Sequence, residues 1–110
     1  MIRRPCACLA LLAAMTGCVS PSPGFFGATR GEAELGGIRF VVFHDTSRAE
    51  VVRMGYLRRS ERRPVPALMA AAAAQVSGCR VIANSMVAKI PGDTGVAQFS
   101  LDCKRPENAP

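Results

Sequence analysis

The amino-acid sequence predicts an α+β fold: a small two-layer ββαββ domain with one helix on a mainly antiparallel four-stranded sheet. Three observations predict it. A chain of 110 residues has room for one small domain and no more. Two pairs of β-rich stretches, 38–43 with 50–54 and 79–87 with 96–103, each enclose residues that favour turns. Between the pairs lies an alanine-rich run, 67–77, whose larger apolar residues recur at helical spacing. Laying that helix on the two hairpins is the simplest way to bury both.

The first strand is Ile38-Arg39-Phe40-Val41-Val42-Phe43, rich in β-branched and aromatic residues. Asp45-Thr46-Ser47 supplies the turn, because short polar side chains bond the local backbone. Glu50-Val51-Val52-Arg53-Met54 is the returning strand. With residue 44 opposite 48, Val42 faces Glu50, Phe40 faces Val52 and Ile38 faces Met54. Ile38, Phe40, Val42, Val52 and Met54 then form one apolar face, which a one-residue slip would scatter.

Arg58-Arg59-Ser60-Glu61-Arg62-Arg63 is a polar connector. Pro64 and Pro66 suit the first turn of a helix, where a missing N–H costs nothing. Val65, Leu68, Met69, Ala72 and Val76 share one stripe of the helix that follows, and Gly78 suits the position just past its end. The last two strands form a hairpin around the turn at 91–95. With Cys79 opposite Cys103, Val81 faces Leu101, Ala83 faces Phe99 and Ser85 faces Ala97. The opposite face carries Arg80, Asn84, Gln98, Ser100 and Asp102. One register thus joins the sulfurs and sorts core from solvent.

The N-terminal region is of another kind. Arg3 and Arg4 precede an apolar run of ten, 6–15. A membrane span needs about twenty such residues, so the run is expected to be an export signal. Met15-Thr16-Gly17-Cys18 resembles the lipobox of bacterial lipoproteins. The resemblance covers only the processing signal. It implies cleavage before Cys18, acylation of the Cys18 thiol, and anchoring through two or three acyl chains. Met15 departs from the Leu favoured at that position. Val19 rather than Asp after the cysteine resembles an outer-membrane address. The expected location is therefore the cell envelope, lipid-anchored and facing the periplasm.

The resulting organisation is a signal peptide over 1–17, the lipidated Cys18 with a flexible tether over 18–37, the domain over 38–103 and a polar tail over 104–110. The tether is read from Ser20-Pro21-Ser22-Pro23-Gly24 and Gly36-Gly37. A flexible segment of that length spans about 25 Å. Phe25-Phe26 interrupts it, as a local contact on the domain or a dip into the membrane. Loss of Arg3 and Arg4 with the signal lowers the net charge from +6 by two. Cys6 and Cys8 leave too, so Cys79 and Cys103 remain to form a disulfide in an oxidising compartment.

Catalytic chemistry is thinly represented. His44, Asp45, Thr46 and Ser47 hold a base, a carboxylate and two hydroxyls, but too close in sequence for a nucleophile and its base to meet. Asp93-Thr94-Gly95 resembles the aspartic-protease triplet, of which no second copy exists. No phosphate loop, dinucleotide fingerprint, zinc spacing or calcium loop is present, so neither metal nor cofactor is expected. Arg58, Arg59, Arg62 and Arg63, with Arg53 before them, are the candidate contact for an anionic partner, an envelope lipid or protein. Nucleic acid is an improbable partner in this compartment. The expected function is a non-enzymatic binding or assembly module of the envelope. The second reading is an envelope enzyme, or an accessory subunit of one, with an unrecognised site.

Overall fold

The structure is a computed structural model that describes residues 19–90 and 94–106, the side chains of 105 and 106 excepted. Its strands are β1 (Thr29–Leu35), β2 (Ile38–His44), β3 (Arg48–Arg53), β4 (Cys79–Val81), β5 (Val87–Ala88) and β6 (Val96–Pro106). One helix, α1 (Val65–Ser77), lies between β3 and β4. Short 3₁₀ turns occur at Pro23–Phe25 and Arg59–Glu61. The sheet runs β1-β2-β3-β6-β4, β5 also pairs with β6, and every pairing is antiparallel. Among the described residues the fold is α+β with one helix, as expected, but the sheet has six strands where four were expected.

The additional strand β1 occupies what was read as a tether. Its seven residues, Thr-Arg-Gly-Glu-Ala-Glu-Leu, are poor β formers, and only their period of two betrays them. Ala33 is buried and Leu35 packs on the core, while Arg30, Glu32 and Glu34 are exposed. Gly31 lies under α1, where an added Cβ would come within 2.5 Å of Val76 Cγ1. Gly36 and Gly37, at φ +60° and +78°, form the two-residue turn into β2. Both central residues of this tight hairpin have positive φ, which glycine adopts without strain.

The β2–β3 hairpin is one residue out of the expected register. Phe40 pairs with Arg53, Val42 with Val51 and His44 with Ala49. The turn sets this pairing. The Asp45 N–H donates to the Arg48 carbonyl at 3.0 Å, and Asp45 Oδ1 accepts from the N–H groups of Ser47 and Arg48. Consequently Phe40, Val42, Ala49 and Val51 face the helix with Val65, Met69, Ala72 and Ala73. Val52 and Met54 turn to the opposite face and pack on Phe25, Val41 and Phe43. The expected face assumed one buried side, whereas β2 is buried on both.

Residues 19–28 cover that second side. The Ser22 N–H donates to Glu50 Oε1 at 2.9 Å, and Arg48 Nη2 donates to the Gly24 carbonyl at 3.1 Å. Phe25 is buried beneath the Arg48 guanidinium, 4.6 Å from its ring centroid. Phe26 points away and is exposed. The expected tether is therefore a docked segment and a strand.

α1 begins at Val65, two residues before the expected start, with Pro66 in its first turn. It ends at Gly78, φ +72°, whose N–H donates to the Ala74 carbonyl. Val65, Met69 and Ala72 of the expected stripe are buried, and Leu68 and Val76 pack on the core from its margin. In the last hairpin, Arg80 pairs with Asp102 and Val81 with Leu101, as expected, but a register shift between Cys79 and Arg80 sets Cys79 opposite Pro106 rather than Cys103. Beyond Val81 that register fails. The chain turns at Ala83-Asn84, with Asn84 at φ +60°, and pairs again as Val87 with Gln98. Ser85 bridges the gap: its hydroxyl donates to the Ile82 carbonyl and accepts the Ser100 N–H. The strand expected over 79–87 is thus two short ones. The polar tail expected from 104 begins later, since β6 continues through Pro106.

Candidate anionic contact surface

Gly55, at φ +87°, turns the chain out of β3 and presents Tyr56, which is 83% exposed. The arginine connector follows as a folded turn. The Glu61 N–H donates to the Arg58 carbonyl at 2.9 Å, and Glu61 Oε1 accepts the Arg58 N–H at 3.1 Å. Arg62 is half-buried. Its Nε donates to the Leu57 carbonyl at 3.0 Å, and its guanidinium lies 5.9 Å from the Tyr56 ring centroid. Arg58, Arg59 and Arg63 are exposed. The ion pairs Arg30–Glu32 and Arg48–Asp45 lie elsewhere. Of the four candidate arginines, one therefore holds the turn and three point to solvent.

Arg53 belongs to the scaffold. It ends β3, donates its N–H to the Gly95 carbonyl, and donates from Nη1 to Thr94 Oγ1 at 3.1 Å. This ties Thr94 and Gly95 to the end of β3, and Lys89, whose N–H donates to the Val96 carbonyl, lies with Ile90 at the same end of the sheet, both exposed. Neither was singled out from the sequence, because a lone lysine and a lone isoleucine in a loop carry no local pattern.

Cys79 and Cys103 form the expected disulfide, with their Cα atoms 4.5 Å apart, at the other end of the sheet. Cys18 and Asp93 lie outside the described residues. The His44–Ser47 group is a turn. The Asp45 carboxylate accepts the Ser47 N–H, the Arg48 N–H and the Ser47 hydroxyl. These bonds, that of the Ser47 backbone first, hold its pKa below the ordinary aspartate value, with the Arg48 charge adding to the effect.

The sequence placed Glu50 in the returning strand but did not single it out as a buried carboxylate, and it pairs with Phe43 rather than Val42. It is 1% exposed, and its carboxylate accepts the Ser22 N–H and, at 3.2 Å, Gln98 Nε2. A carboxylate inside Val-Val-rich β3 is costly without such partners. Its place between Ala49 and Val51-Val52, facing one side of the sheet, was the available signal, and it points to a tie between elements.

Among the described residues no group of three His, Cys, Asp or Glu could hold a metal ion, and no helix is long and apolar enough to cross a membrane. No protein-family model, curated protein or solved structure matches the chain.

Proposed function

We propose that the chain is a cell-envelope lipoprotein, anchored through acyl chains on Cys18 and facing the periplasm from the outer membrane. Its domain acts as a small non-enzymatic binding or assembly module whose arginine turn meets an anionic envelope component. The observation that carries the proposal is Met15-Thr16-Gly17-Cys18 behind a short apolar run and two arginines. The Cys79–Cys103 bridge fits an oxidising compartment. The exposed guanidinium groups of Arg58, Arg59 and Arg63 suit phosphate or carboxylate oxygens, which they engage through paired donors.

Intact mass of protein extracted from membranes tests the anchor. It should correspond to a chain starting at Cys18 and carrying acyl chains. Cys18→Ser should release the protein from the membrane, and a variant still cleaved there and still membrane-bound would overturn the proposal.

A further inference from the structure

We infer that the membrane holding the Cys18 acyl chains is itself the anionic partner, and that the domain rests on it by the Tyr56–Arg63 and Lys89–Ile90 end of the sheet. The inference rests on the lipid anchor proposed above. It goes further by fixing which end of the domain faces the lipid.

The N-terminal segment supplies the geometry. Ser22 bonds Glu50, and Gly24 bonds Arg48. Partner numbers fall as the segment advances, so it runs antiparallel to β3. Traced backward, it leads toward the β3 C-terminus. Val19 packs on the same Phe25–Val41–Phe43 cluster as Val52 and Met54. Cys18 is the next residue, at most about 3.8 Å away between Cα atoms. The anchor therefore attaches beside the end of β3, where Tyr56 emerges and the arginine turn begins. A docked segment replaces the 25 Å of slack that a tether would give.

The chemistry of that end suits a headgroup layer. Arg58, Arg59, Arg62, Arg63 and Lys89 stand in two loops whose only acids are Glu61 and Asp93. Tyr56 and Ile90 are 83% and 62% exposed, among the most exposed large apolar residues described. Tyrosine favours the water–lipid interface, and exposed basic groups are drawn to anionic headgroups. The opposite end presents the Asp45–Ser47 turn, with Phe26 and Lys104 exposed beside it and with Arg30 and Arg48 each paired to an acid, Glu32 and Asp45.

The chain contains no tryptophan, so one can serve as a unique reporter. Full-length protein carrying Tyr56→Trp, or Thr46→Trp as the opposite end, would be purified with its acyl chains and placed in vesicles of phosphatidylcholine and phosphatidylglycerol. Brominated lipid should quench the Tyr56→Trp emission several-fold more than the Thr46→Trp emission. Adding Arg58→Gln, Arg59→Gln and Arg63→Gln should reduce the difference, as should 1 M salt, which shortens the Debye length to about 3 Å. Arg62 is left in place because it holds the turn. Equal quenching at both ends of a demonstrably acylated protein would overturn the orientation while leaving the anchor intact. Protection of the Tyr56→Trp reporter only when an envelope protein is added would overturn the membrane as occupant. An unacylated protein that washes off the vesicles would instead refute the anchor.

Discussion

The two faces of the β2–β3 hairpin are buried by different means. One is covered by α1, a regular helix that contributes Val65, Met69, Ala72 and Ala73 to a large cluster. The other is covered by residues 19–28, which have no regular structure beyond one 3₁₀ turn and bury a single aromatic ring, Phe25. A helix satisfies its own backbone and needs only apolar contacts to dock. The irregular segment must find backbone partners on the sheet, and it finds some in the Glu50 carboxylate and the Arg48 guanidinium. Polar side chains in β3 therefore do on one face what an apolar stripe does on the other.

The difference is open to direct attack. Phe40 is fully buried under the helix, and Phe40→Ala should cost about 3–5 kcal/mol through lost burial and a cavity that rigid neighbours cannot close. Phe25→Ala should cost less, about 1.5–3 kcal/mol, the transfer of one ring, because the segment can lift away. Chemical denaturation gives both values. Amide exchange should show the Phe25 variant opening over 19–28 while α1 stays protected. Equal losses, with global exchange in both, would mean that the segment is as integral as the helix.

The disulfide reinforces the helix side, since Cys79 follows α1 directly and belongs to its cluster. Replacing both cysteines with Ala should remove about 2–5 kcal/mol and lower the melting temperature by well over 5 °C, read by calorimetry. Gly31 tests the closeness of α1 to β1. Gly31→Ala should cost about 1–3 kcal/mol by overpacking against Val76. Val76→Ala should recover part of that loss in the double variant, and strictly additive losses would refute the contact.

The smallest effect expected is electrostatic. Because the Asp45 pKa is lowered in the folded state, its contribution is present above the unfolded pKa of about 3.9 and is lost as pH falls through the folded value. Asp45→Asn should flatten the stability profile below about pH 4 and change little at pH 7 beyond the lost turn bonds. An unchanged acid limb would show that the turn bonds do not favour the carboxylate.

What could be read from the sequence divides along the same line. The helix, its C-terminal glycine and its buried stripe were legible because period and capping are local properties. So was the pairing of Val81 with Leu101, although a register shift sets Cys79 itself opposite Pro106. β1 was hidden by its glycine and glutamates, whose place is explained only by the nearness of Val76 and by an exposed outer face. The register of β2 with β3 was misjudged because the apolar count assumed a single buried face. For the contact surface, the arginine run was visible, but Arg62's structural role and the company of Tyr56, Lys89 and Ile90 depend on how distant loops are tied by Arg53.

β6 also imposes an order of events. It is the last of the described strands and lies inside the sheet, with β3 on one side and β4 and β5 on the other. It carries Ala97, Phe99 and Leu101 of the core and the second half of the disulfide. A chain emerging N-terminus first therefore lacks this strand until all the other described elements are out. Until then β3 has an open edge, β4 has no β6 to pair with, and Cys79 has no Cys103 to join. Completion of the sheet, closure of the core and oxidation of the thiols all wait on β6, so the described elements cannot close before it arrives.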